Sequence, residues 1–141
     1  MDLSQAMVSE IAIGLGFSSR ARAEDICALI DASLRAAPPF ACARIFTLAR
    51  KAQSAALHEA AVRLRLDVIY LEEAELITRQ DEFSRRGASA SQLAQEKIGV
   101  ANVAEAAALM GAGPRGVLLA PRRAAKNVTC ALAAPADEVK A

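Results

Sequence analysis

Aromatic side chains are scarce: they make up 4% of the 141 residues, with no tryptophan and one tyrosine. Holding single-stranded bases takes several stacking rings, so that mode of nucleic-acid binding is excluded. Charge of one sign is lacking too. Seventeen basic residues against sixteen acidic leave a net charge of +1, far short of the excess that drives counterion release from DNA or RNA. No nucleic-acid partner is expected. There is one histidine, His58, and the three cysteines, Cys27, Cys42 and Cys130, are widely spaced with no C-x-x-C pair. So sparse a set predicts no metal site and no cofactor. Each cysteine lies in an apolar stretch and reads as a small core residue. No stretch reaches the roughly 18 apolar residues of a membrane span. Residues 1–10 also lack the basic start and apolar run of a leader. A cytoplasmic protein with no membrane partner is expected.

What the chain has is apolar residues, 54% of the total against 23% charged. At this length they predict one domain over residues 1–141, its core about 11–134 and a loose tail over 135–141. The short apolar run 11–17, punctuated by Gly14 and Gly16, reads as a buried strand. Ser18 and Ser19 are candidate caps for a helix carrying Ile26, Leu29, Ile30 and Leu34, which Pro38 stops. A second strand over 44–49 precedes a helix with the stripe Leu57, Ala60, Ala61 and Leu64, and 67–71 reads as a third strand. Acids at 72, 73 and 75 open another helix, and 80–90 is polar enough for a surface loop. Ser91 caps a helix to about Ile98, and Asn102 caps a further one through Met110. Segments 116–120 and 128–132 then form antiparallel neighbours, because 121–127 is too short for a crossover helix. The alternation predicts a three-layer α/β/α fold with a mostly parallel five-stranded sheet and one antiparallel edge strand.

Ligands of such sheets bind at the carboxyl ends of the parallel strands, beside helix N-termini. After the first strand stand Gly14, Gly16, Ser18, Ser19 and Arg20: glycines for close backbone approach, a helix start with free N–H groups, and a cation. Ser19 occupies the place of the third glycine of a dinucleotide fingerprint, and no Lys-Ser or Lys-Thr makes a phosphate loop. The segment reads either as a tight turn with serine caps or as an anion site. Lys51 follows the second strand beside Arg50, and Arg122, Arg123 and Lys126 occupy a stretch with no acid between Glu105 and Asp137. Singly, each reads as a solvated turn residue; their convergence on one strand edge favours an anion site. His58 has no partner at metal-ligand spacing and reads as surface, whereas Glu105, among alanines, lies on a solvent stripe or reaches the site. These two are the weak candidates for a catalytic acid or base, and no catalytic residue is assigned.

Four segments together resemble one family. They are the opening I-A-I-G-L-G from Ile11, Lys51-Ala52 followed by Leu57, the block G-V-A-N-V-A-E-A-A-A-L from Gly99, and the closing K-N-V-T-C-A from Lys126. They resemble the family formed by CobE and the C-terminal domain of CbiG, proteins of cobalamin biosynthesis, over roughly residues 11–134, and the free-standing members most. CbiG opens the lactone ring of a cobalt-precorrin and releases acetaldehyde. This sequence departs from the usual pattern at Gln53 and Ser54, where family members often carry an Asp-Glu pair, which removes two candidate acid-base groups. The resemblance therefore implies a protein that binds or delivers a carboxylate-rich precorrin or corrin intermediate, expected in the aerobic pathway. The alternative is a cobalt-precorrin hydrolase. Acetate and propionate groups of such ligands suit charge-assisted hydrogen bonds, and the expected contacts are Gly14, Gly16, Ser18, Ser19, Arg20, Lys51, Glu105 and Lys126. A further expected partner is another pathway enzyme such as a precorrin methyltransferase.

Overall fold

Large and small residues alternate along the first strand, and that alternation decides what packs on each side of the sheet. The structure, a computed structural model, describes residues 8–85 and 100–139. Strand β1 (Val8–Phe17) turns Ile11, Ile13, Leu15 and Phe17 into one core cluster. That cluster also holds Ile26, Leu29 and Ile30 of α1 (Ala23–Arg35) and Leu57 and Ala60 of α2 (Ala55–Leu64). The opposite face of β1 is small. Ala12 packs there against Ala107 of the later helix α5 (Val100–Ala112). A Cβ on Gly14 would lie 1.8 Å from the Ala104 carbonyl oxygen, so α5 rests directly on the strand backbone.

Strands β2 (Phe40–Leu48) and β3 (Asp67–Leu71) follow β1 in one direction, each parallel to its neighbour. Two successive crossovers of this kind place α1 and α2 on the same face. Between β2 and α2 lies a single 3-10 turn, η1 (Ala49–Lys51). The short helices α3 (Glu73–Thr78) and α4 (Gln80–Arg85) then add the fully buried Leu76 and Phe83 to the α5 side. After α5 come β4 (Gly116–Leu118), β5 (Arg123–Ala125) and β6 (Val128–Pro135), and the chain ends in α6 (Ala136–Val139). The sheet order is β3-β2-β1-β6-β4, with β5 also on β6.

The α/β class and its three layers match the sequence reading, with helices covering both sheet faces. Four details differ. The sheet has six strands rather than five, because β5, an exposed R-A-A segment, carries no apolar periodicity. The strand that runs against the others is β6, and it lies between β1 and β4 rather than at the edge. Its run Val128–Ala134 is buried throughout, as befits an interior strand covered on both faces. Residues 80–85 are helical rather than loop, since Arg79 pairs with Glu82 at 3.0 Å and Phe83 is fully buried. The stretch expected as a loose tail is held through residue 138: the Glu138 carboxylate accepts hydrogen bonds from the Ser9 amide and hydroxyl at 3.1 and 2.8 Å.

Two capping expectations change as well. Helix α1 begins after Arg22, whose N–H donates to Asp25 Oδ2 at 3.1 Å, so Ser18 and Ser19 sit in the turn ahead of it. Helix α5 already includes Asn102 in its first turn. The helix expected after Ser91 lies outside the described residues. Among the described residues no helix is long and apolar enough to cross a membrane.

Candidate ligand-binding cleft

Where β1 and β2 end, two turns face each other. Leaving β1, the Ser18 N–H donates to the Asn127 carbonyl at 3.0 Å, and Ser18 Oγ accepts from the Arg20 N–H at 3.2 Å. Asn127 holds φ at 65°, a left-handed conformation that asparagine tolerates better than most residues. The β1 turn is thereby fixed to the β5–β6 turn that carries Lys126. Leaving β2, the Ser54 N–H donates to the Lys51 carbonyl at 3.0 Å, and Ser54 Oγ caps α2 by accepting from the Leu57 N–H at 3.1 Å. Thr47 ties the two strand ends together, its buried hydroxyl donating to the Leu15 carbonyl at 2.7 Å.

Between these turns opens a cleft of about 460 Å³, lined among others by Phe17, Ser18, Ser19, Lys51, Gln53 and Ser54. Lys51 is half-buried, and its Nζ stands 5.0 Å from the centroid of the Phe17 ring. Burial first, and then the neighbouring Arg50 charge, lowers its proton affinity below the usual lysine range. Among the described residues Lys51 forms no ion pair, whereas Arg50 reaches Glu73 at 3.6 Å. The described lining contains no carboxylate and no imidazole. Its chemistry is hydroxyl, amide and cation, which suits holding an anion.

Of the residues expected at the site, Ser18, Ser19 and Lys51 line the cleft, while the exposed Arg20 stands on the β1 turn and the exposed Lys126 on the β5–β6 turn beyond it, both outside the lining. Gly14 and Gly16 are buried within β1, and Gly14 serves the close approach of α5 rather than of a ligand. Glu105 resolves the choice left open for it: it is 3% exposed and faces Arg122, 3.4 Å away, outside the cleft lining. His58 is exposed on α2, its Nε2 3.4 Å from the Tyr70 hydroxyl, and also stands apart. Phe17, Gln53 and Ser54 line the cleft without having been named as contacts. An aromatic that ends an apolar strand reads as core, and Phe17 is indeed only 3% exposed.

The cysteines differ from the uniform core expectation. Cys130 is buried and its thiol is pushed up to about 11 by desolvation, Cys27 is half-buried, and Cys42 is exposed near the start of β2. Among the described residues no group of three or more His, Cys, Asp or Glu gathers as a metal site.

The architecture defines a class: an α/β domain of the open-sheet type, with a cleft lined by both polar and apolar residues at the carboxyl ends of two parallel strands. Three comparisons narrow it. The family model described as cobalamin synthesis G C-terminus matches residues 11–133. Protein CobE from Sinorhizobium sp is 32% identical over 128 residues, covering 89% of this chain and 80% of that protein. The crystal structure of cobalamin biosynthesis protein chiG from Agrobacterium tumefaciens superposes with a TM-score of 0.68 at 31% identity, covering 90% of this chain and 99% of that one. That of CobE, a protein from the cobalamin biosynthetic pathway, gives 0.71 at 27% identity and 89% of each chain. The chain belongs to the CobE and CbiG C-terminal family, and it is a cobalamin biosynthesis protein.

Proposed function

We propose that this protein binds or delivers a carboxylate-rich precorrin or corrin intermediate, held at the β1–β2 cleft, in the aerobic route to cobalamin. The observation that carries this reading is Lys51, a half-buried cation in the cleft wall with no carboxylate partner among the described residues. A buried charge without a counter-charge is unfavourable, and a ligand carboxylate supplies one through a charge-assisted hydrogen bond. Arg20 and Lys126, on the two turns joined by the Ser18–Asn127 hydrogen bond, extend the positive rim toward further acetate and propionate groups. The described cleft lining holds no carboxylate and no imidazole to act as an acid or base, which favours this reading over lactone hydrolysis.

Gel filtration with hydrogenobyrinic acid tests the proposal. Unmodified ligand is expected to travel with the protein at about one per chain, and Arg20→Ala/Lys51→Ala to weaken it with the fold intact. Unchanged affinity in that double variant contradicts the proposal, and a spectrum that changes with time under catalytic amounts of protein returns the hydrolase reading.

A further inference from the structure

Strand β3 ends the sheet on one side, and among the described residues it pairs only with β2. Both of its faces are covered: Val68 and Tyr70 pack toward the core of α1 and α2, Ile69 and Leu71 toward that of α5. All four nonetheless stay half-buried, whereas the adjoining residues of β2, Ile45 to Leu48, are buried. The difference is a missing neighbour along the edge. Solvated edges are commonly guarded by lysine or proline; Asp67–Leu71 has neither, and its one charge is at its first residue. Beside this edge stands Val62, at 76% the most exposed large apolar side chain among the described residues. It lies one helical turn from His58 on the same face of α2, and His58 reaches Tyr70 of β3.

The sequence of β3 suits pairing with itself. Opposed residues of an antiparallel pair turn their backbone groups toward each other, and alternate residues of a strand do so, so the two-fold axis of such a pair passes through a residue. Only Ile69 as that centre engages all five residues, with Asp67 opposite Leu71 and Val68 opposite Tyr70, a β-branched and aromatic pairing of the favoured kind. The same register brings the exposed Arg65, just before the strand, opposite Glu73 and beside Glu72, just after it, and symmetry makes this contact twice. A parallel arrangement sets each end against its like.

We infer that β3 is a self-association surface, through which two copies of this chain pair by antiparallel strands centred on Ile69, joining their sheets edge to edge. The axis lies perpendicular to the sheet, so the two α2 layers fall on one side and Val62 comes to the junction. Five residues of strand with one flanking valine are small beside the interfaces of permanent dimers, so a reversible, concentration-dependent dimer is expected.

Sedimentation velocity of the full chain from about 5 to about 500 µM tests this, with hydrogen exchange at the two ends of that range. The expected result is a shift toward dimer with concentration, and slowed exchange within residues 67–71 at the upper end. Val62→Glu, an exposed change that leaves the core untouched, should weaken association roughly tenfold or more. Arg65→Glu should weaken it too, and Arg65→Glu/Glu72→Arg should recover affinity while leaving the Arg50–Glu73 pair in place. A chain that stays monomeric throughout overturns the inference, as does a dimer whose 67–71 amides exchange at the monomer rate. Wild-type association in Val62→Glu, or an exchanged pair no tighter than Arg65→Glu alone, overturns it as well.

Discussion

Replacing Gly14 with alanine probes the packing that holds the two halves of the fold together. The added Cβ would meet the Ala104 carbonyl oxygen at 1.8 Å, the Ala108 nitrogen at 2.5 Å and the Ala104 carbonyl carbon at 2.9 Å. All three are backbone atoms, so no side-chain rotation relieves them. Helix α5 must retreat by more than 1 Å to reach the 3.0 Å below which Cβ contacts are essentially unknown. Moving it loosens Ala104, Ala107, Ala108 and Leu109 from the sheet together, since all four are buried on its inner side. Overpacking of a closed core costs about 1–3 kcal/mol and sometimes more, and a rigid backbone obstacle belongs at the upper end. Against this, alanine restricts the unfolded chain and returns about 0.4–1 kcal/mol. The net expectation is a loss of about 2–3 kcal/mol, or roughly 5–10 °C in Tm for a chain of this size. Urea unfolding followed by circular dichroism measures it, as a lower midpoint at unchanged slope. A variant within about 0.5 kcal/mol of wild type, the range of an inert surface change, would refute the packing of α5 on Gly14. Gly113→Ala is the control: its φ is +90° and nothing lies within 4 Å, so only backbone strain of about 1 kcal/mol is expected.

Two further expectations concern single side chains. Lys51→Met keeps the stem and offers sulfur to the Phe17 ring while removing a half-buried cation that has no carboxylate partner among the described residues, so its Tm at pH 7 should equal or exceed wild type while corrin binding falls. The sign follows from linkage. Because the folded-state affinity of Lys51 for its proton is lowered below the ordinary 10.5, the unfolded chain binds more protons in the window between the two values. The contribution of this lysine to stability therefore rises with pH there. The Met variant should lose that rise, and an unaltered pH dependence in the window just below 10.5 contradicts it. Thiol titration at pH 8 should modify the exposed Cys42 first. Cys130, its thiol raised to about 11 by burial, should react only with unfolding, and rapid labelling of a folded Cys42→Ser variant at Cys130 would contradict this burial.

Much of this was legible in the residues. The third strand reads directly as 67–71 because a short β-branched and aromatic run is followed by the acids that open α3. The large apolar positions of β1 and α1 place the main core, and the position of Lys51 after β2 places the cleft. What escaped has physical causes. Glycine in a strand marks either a turn or a close approach, and for Gly14 only the partner helix decides which. The small alternate positions Ala12, Gly14, Ala131 and Ala133 are the signal, but they become one surface only when β1 and β6 pair. That pairing also moves the antiparallel strand inside the sheet, since a chain returning from β4 fills the place beside β1 rather than extending the edge. Short elements such as α4 and β5 have too few residues for periodicity, and they are held by one buried ring or one neighbouring strand. Glu105 could not be placed without its partner, because a carboxylate among alanines is stable under cover only when a cation such as Arg122 reaches it.

The central claim, that the carboxyl ends of β1 and β2 receive a corrin carboxylate, is tested most directly by amide chemical shifts of the labelled protein on addition of hydrogenobyrinic acid. The account predicts saturable shifts concentrated at residues 17–20 and 50–56, extending to 126–127 through the Ser18–Asn127 hydrogen bond, and greatly reduced in Lys51→Ala. Shifts confined to the small hollow beside Pro38, Pro121 and Cys130, or the same pattern at full strength in Lys51→Ala, would contradict it.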